Sequence, residues 1–377
     1  MGKSTVNQIG TQAATDIYGQ LRYDDSPRLV YWELTRACDL ACRHCRAEAI
    51  PQRHPDELDT EEGFRLLEEI RRFGEPAPHL VLTGGDPLKR PDFFELLERA
   101  VALGLRTSVA PSGTPNLTRE VIRLLKSQGV ESIALSLDGS TPERHDGLRG
   151  VTGCFKRTME AARDAGEQDL PLQINTLVTA DALEDMASLD ALVCTLKVAR
   201  WSLFFLVPTG RGSVLREIGP EQCEALLERL CERGREAPFS IATTEAPHFR
   251  RVALTQMWAE GHSPADIRRT PIGRGFGIRD GNGIMFISHV GDVFPSGFLP
   301  LAAGNVRNES PAHIYRESKL FRSIRETERY TGKCGLCEFR NVCGGSRARA
   351  YAATGDPLGS DPLCAYQPAG VDADRNN

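Results

Sequence analysis

The chain has 377 residues, 40% of them hydrophobic, which is length for two or three domains and enough apolar material for their cores. Its 46 basic and 51 acidic residues leave a formal charge of −5, which excludes a general nucleic-acid or acidic-membrane footprint. No apolar run reaches a membrane span, residues 1–20 lack a signal-peptide core, and eleven cysteines then point to metal or redox chemistry in the cytoplasm rather than to disulfides.

Residues 1–27 read as a polar lead-in with at most one short helix. From Arg28 strand-like and helical runs alternate. Strands are predicted at 29–34, 79–82, 106–110, 132–137, 172–178 and 201–207, and helices at 63–73, 91–103, 118–128, 153–165 and 183–196. Thr60 is placed to cap the first helix and Gly129 to close the third. This alternation means βαβ units and a parallel sheet, covered on both faces where its strands are apolar throughout. Six units are too few for an eight-fold barrel, so the expected fold is α/β, an open (β/α)6 partial TIM barrel or a doubly wound sheet. Residues 28–215 would form this core and 216–283 a helical connector. A hairpin is predicted around His289-Val290-Gly291. Residues 284–368 end in a Cys- and Gly-rich stretch that needs a staple, and 369–377 form a polar tail.

Seven cysteines fall into two sets. Cys38, Cys42 and Cys45 are spaced C-x3-C-x2-C in the loop after the first strand, at the carboxyl end where ligands gather in parallel α/β folds. Three thiolates so close can hold one side of a four-iron cubane and leave one iron open. The alternatives are a zinc site with a remote fourth ligand, or plain buried thiols. Cys334, Cys337, Cys343 and Cys364 form the second set. Four thiolates suit a closed cluster or tetrahedral zinc equally, and the company of the first set favours the cluster. Cys154, Cys194, Cys223 and Cys231 lack ligand spacing and read as core or surface thiols.

The first cysteine loop, placed after the first strand of a (β/α)6 pattern, resembles the signature of the radical SAM superfamily. Thr83-Gly84-Gly85-Asp86-Pro87 is similar to that family's GGEP-type motif, with Asp in place of Glu. The resemblance implies that these glycines let backbone groups reach the amino group of S-adenosylmethionine (SAM). It also implies that Ser112 faces the same ligand, and that Ser136, in the run Ser136-Leu137-Asp138-Gly139, holds the SAM carboxylate together with Arg149. His44 would lie near the adenine, and Asn175 and Val207 would line the nucleoside. Taken alone, Arg149 reads as a surface charge.

The carboxyl third is similar to a SPASM-type extension, which implies one auxiliary [4Fe–4S] cluster on Cys334, Cys337, Cys343 and Cys364. Ser296 stands where relatives with a second such cluster often carry cysteine, so one auxiliary cluster is expected rather than two. His44-Cys45-Arg46-Ala47, the run 206–212 and the run 347–351 resemble haem-pathway enzymes that oxidatively decarboxylate porphyrin propionates. Uncharacterised radical SAM/SPASM proteins are the nearer match, since Ser296 and Ser346 depart from the decarboxylase pattern. Arg211, Arg347 and Arg349 are candidates to pair with substrate carboxylates, against the simpler reading of solvated arginines. Tyr351 and His289 are candidate proton donors, and no catalytic residue is assigned.

The implied activity is reductive cleavage of SAM to a 5′-deoxyadenosyl radical, which abstracts hydrogen from a small molecule, cofactor precursor or peptide. A donor such as flavodoxin or ferredoxin would supply the electron. The lead-in is too short for the leader-binding region common in peptide-maturing relatives. A non-catalytic electron carrier is the reading from another class, and it leaves the glycine loop and the six βα units without a purpose.

Overall fold

Alternate residues of β1 (Leu29–Glu33), Val30 and Trp32, are fully buried, and so are Leu80 and Leu82 of β2 (His79–Thr83) and Ile133 of β4 (Ser132–Ser136). A strand's period of two puts these side chains on one face of the sheet, against the helices. Glu33, Thr83 and Ser136, at the carboxyl ends of these strands, turn to the other face and make that end of it polar. With β3 (Thr107–Val109), β5 (Leu172–Val178), β6 (Val198–Phe205) and β7 (Ser240–Thr244), these strands pair in parallel and in chain order. This is the arrangement of a partial barrel, in a computed structural model that describes residues 21–368. Expectations for residues 1–20 and 369–377 lie outside the described residues.

Helices α1 (Thr60–Arg71), α2 (Phe93–Ala102) and α3 (Arg119–Ser127) fall where the apolar period puts them. Asp59, not Thr60, caps α1: its carboxylate accepts from Glu62 N at 2.8 Å while the Glu62 carboxylate accepts from Asp59 N at 2.9 Å. Thr60 instead donates to Asp92 at 2.8 Å. Helix α4 (Pro142–Arg149) is absent from the sequence prediction, because His145 is its one buried residue and no apolar stripe announces it. It runs from a Thr141 cap, with Pro142 in its first turn, to Gly150 at φ +72°, a left-handed stop. Helices α5 (Cys154–Glu167), α6 (Met186–Cys194), α7 (Pro220–Glu236) and α8 (His248–Ala259) follow.

Two departures matter for the site. The segment 216–283, expected to be helical, also contains β7, which the sequence hides because Ile241 is its one buried residue. The expected hairpin forms between β8 (Ile284–Ile287) and β9 (Asp292–Phe294), and β8 also pairs in parallel with β1, Leu29 opposite Ile284 and Trp32 opposite Ile287. The carboxyl third therefore continues the barrel sheet beside its first strand, with β10 (Gly304–Asn305) at the edge. Among the described residues no helix is long and apolar enough to cross a membrane.

Candidate functional site

The first cysteine loop leaves the carboxyl end of β1 and is clasped from two sides. On one, Gly85 N donates to Thr35 O and Asp86 N to Ala37 O, each at 2.7 Å. On the other, Ala41 N donates to Arg149 O at 3.1 Å and Arg43 N to Leu148 O at 2.9 Å. Glycine is required at both contacts. A Cβ on Gly85 would stand 2.5 Å from Ala37 O, and one on Gly150 would stand 2.6 Å from Ala41 O. The glycine loop thus serves first to press against the cysteine loop.

Cys38, Cys42 and Cys45 line one cavity at the carboxyl ends of the strands, about 1040 Å³ including its mouth. His44, Gly84, Gly85, Ser112, Ser136, Asp138, Arg149, Asn175 and Val207 line it too. Asp86 and Pro87 do not. The Asp86 carboxylate is buried and accepts from Leu88 N at 3.2 Å, Ser112 N at 3.4 Å and Thr114 Oγ1 at 2.7 Å, so it ties the β2 and β3 loops together. Pro87 opens the tight turn beneath it. Ser112 Oγ donates to Gly85 O at 2.7 Å and lies 3.7 Å from Cys38 Sγ. Asn175 accepts from Gln173 Nε2 at 2.7 Å.

Arg149 is an inward-facing charge. It pairs with the Asp138 carboxylate and sets Nη1 3.7 Å from Cys42 Sγ, with Nε buried and unpartnered among the described residues. Asp138 also accepts from Leu177 N at 2.7 Å. Burial opposes ionisation of Asp138, but Arg149, the nearby His44 and His145 and the Leu177 N–H together outweigh it and hold the carboxyl below its usual range. His44, buried and then repelled by Arg149, is pushed down to about 4, so it is neutral at pH 7, and its Nδ1 has no partner among the described residues.

The thiols fit a metal centre. Burial pushes Cys38 up to about 11, so a thiolate there needs a cation to compensate it. Leu40 N donates to Cys38 Sγ at 3.3 Å and Ala49 N to Cys45 Sγ at 3.4 Å, as suits sulfur that carries negative charge. The second set converges likewise: Cys334, Cys337, Cys343 and Cys364 line a separate cavity with His248 and Arg251. Burial pushes Cys337 up to about 12 and Cys364 to about 11. Gly345 N donates to Cys343 Sγ at 3.4 Å, while Asp361 N and Arg347 Nη2 each donate to Cys334 Sγ at 3.5 Å.

Two expected carboxylate partners are otherwise engaged. Arg347 is wholly buried, donating to the carbonyls of Gly345, Pro357 and Gly359 with its guanidinium 4.5 Å over the Tyr330 ring. Arg349 donates to Glu217 and to the carbonyls of Glu245, Phe205 and Leu206, pinning the helix Arg347–Thr354 to the end of β6. Neither is solvated and neither has a free edge for substrate. Arg211 differs: its Nε and Nη2 are buried without partners among the described residues, while its backbone N donates to Cys45 O at 3.1 Å. Tyr351 packs against the cluster around Val207 and Ala348, and His289 against Glu33 at 2.8 Å; neither lines the cavity. Cys223 and Cys231 sit in the core, Cys154 packs beside Cys38 and Cys42, and Cys194 is exposed. Arg46, which the sequence shows only as part of the run His44-Cys45-Arg46-Ala47 and without a role of its own, also lines the cavity.

A partial barrel with a three-cysteine loop at the carboxyl end of β1 defines a class of enzyme. A family model described as the radical SAM superfamily matches residues 32–189, the span holding the cysteine loop, the glycine loop and Arg149. The chain belongs to the radical SAM superfamily, whose enzymes bind a [4Fe–4S] cluster and SAM and cleave SAM reductively. It is 39% identical over 344 residues to the AdoMet-dependent heme synthase of Methanosarcina barkeri, across 91% of this chain and 98% of that one. It is 28% identical over 346 residues to the PqqA peptide cyclase of Rhizobium meliloti, across 91% of this chain and 88% of that one. Among solved structures, SuiB of Streptococcus suis bound to S-adenosylmethionine shares the fold, with a TM-score of 0.71 at 19% identity over 91% of this chain and 78% of that chain.

Proposed function

We propose that this enzyme directs its radical at the propionate side chains of an iron tetrapyrrole and decarboxylates them oxidatively. The observation that carries this is the 39% identity with a heme synthase along 98% of that protein, against 28% with the peptide cyclase. With cluster and SAM bound, the chemistry supplied would remove one hydrogen atom, CO2 and one electron from a propionate side chain and leave a vinyl group.

Cys38, Cys42 and Cys45 would hold the cluster that, once loaded, supplies the electron for SAM cleavage. His44, Gly84, Gly85, Ser112, Ser136, Arg149, Asn175 and Val207 would hold SAM, with Asp138 orienting Arg149, and Asp86 and Pro87 shaping the loop. Cys334, Cys337, Cys343 and Cys364 would hold one auxiliary [4Fe–4S] cluster, suited to accepting an electron. The tethered, N–H-solvated sulfurs of both sets support that assignment. The divisions at residues 28, 216, 284 and 369 then separate radical core, connector, auxiliary segment and tail. A cytoplasmic flavodoxin or ferredoxin would be the reductant.

The test is anaerobic incubation of reconstituted protein with SAM, a reductant and iron-coproporphyrin III. A porphyrin lighter by CO2 and two hydrogens per reacted propionate, formed with 5′-deoxyadenosine, is the expected result. Formation of 5′-deoxyadenosine over an unchanged porphyrin would overturn the proposal. It would leave a peptide substrate, which the similarity to the peptide cyclase favours as second reading.

A further inference from the structure

Arg46 follows the third cysteine, and its side chain reaches the β1–β8 side of the sheet. Its guanidinium lies 4.3 Å over the Phe286 ring on β8, with Nη1 3.1 Å from Glu33 Oε2 at the end of β1. Gly297 makes room for it, since a Cβ there would stand 2.9 Å from Arg46 Nε. Glu33 is 3% exposed, and its other oxygen accepts from His289 Nδ1 at 2.8 Å. An ionised carboxylate only accepts, so His289 carries its proton on Nδ1. The guanidinium is therefore fixed from below by an aromatic face and from one edge by a buried carboxylate, which a second residue orients.

An arginine has five N–H donors, and among the described residues this one meets a single carboxylate oxygen. Arg46 itself lines the cavity. The same cavity is lined by Phe204 and Phe298, their ring centres 6.4 Å apart, and by Leu206. A ligand with a flat apolar body and an anionic arm satisfies both surfaces.

We infer that Arg46 binds a carboxylate of the substrate, and that Glu33 and His289 are positioning residues that aim its free edge across the cavity. The assignment rests on the tetrapyrrole reading above and names the residue that makes it specific for acidic side chains.

Anaerobic optical titration of the reconstituted holoenzyme with iron-coproporphyrin III, and with its tetramethyl ester, tests it. Arg46→Gln is expected to weaken binding of the acid at least about tenfold, the scale of a lost charge-assisted pair. Arg46→Lys, which keeps charge but not the planar fork, is expected to fall between. The ester is expected to bind the unaltered enzyme and Arg46→Gln equally, and Glu33→Gln to raise the KM for the acid more than it lowers kcat. Unchanged binding of the acid by Arg46→Gln overturns the inference, and so does a loss of SAM affinity in its place, which would put Arg46 on SAM. If the unaltered enzyme binds neither porphyrin, the tetrapyrrole reading falls and this assignment with it.

Discussion

Arg149 divides its guanidinium between the Cys42 sulfur and the Asp138 carboxylate. Asp138→Asn would leave that cation buried without its counter-charge, at a cost of about 3–5 kcal/mol in chemical denaturation. Cys42→Ala acts on the metal itself: iron analysis should fall from about eight to about four per chain, at four per cubane, and 5′-deoxyadenosine should no longer form. His145 gives a pH signature. Burial, then Arg149, push it down to about 4, while its Nδ1 accepts from Asp138 N at 3.1 Å. Below about pH 6.5 the unfolded chain takes up a proton that the folded chain refuses, so stability is lost as pH falls from there through about 4. The unfolding midpoint of the metal-loaded protein should drop between pH 7 and 5, and less steeply in His145→Asn, whose amide oxygen can accept the same N–H.

At the scale of elements, the loop contacts explain what a small change would do. Gly85→Ala drives a methyl into Ala37 O and Arg36 O, so the cysteine loop must move. A stability loss of about 1–3 kcal/mol and a fall in bound iron are expected. Strands β1 to β6 and most of the helices between them are legible in the sequence, because each strand buries an alternating or continuous run and each of those helices a 3.6-period stripe. Helix α4 and β7 are not, since each buries a single residue. The cysteine sets are legible by spacing, but the fate of the arginines is not. Arg347 and Arg349 look like surface charges in sequence and become buried tethers only because distant carbonyls converge on them. Arg347→Lys cannot serve three carbonyls and a sulfur with one ammonium. It should reduce iron from about eight toward about four per chain while SAM cleavage persists.

Across the whole molecule, the sheet joins segments that the sequence suggests are separable. β1 has β2 on one side and β8 on the other, so removing the carboxyl third would strip β1 of a neighbour and expose its hydrogen-bonding edge. A fragment ending at residue 260 is expected to aggregate, and size-exclusion chromatography of the soluble fraction would show this. The inferred anchor has the same reach, since Arg46 comes from the first cysteine loop and Phe286 and Gly297 from the carboxyl third.

The seam between β1 and β8 also imposes a timetable. Leu29 leaves the ribosome some 255 residues before its partner Ile284. At elongation rates of about 5–20 residues per second that delay is roughly 10–50 s. For that interval the loop carrying Cys38, Cys42 and Cys45 has one flank uncovered, and iron delivery that precedes closure would leave a half-built centre open to oxygen. A nascent chain of this architecture is better served by maturation after release, once both borders of the first strand are sealed.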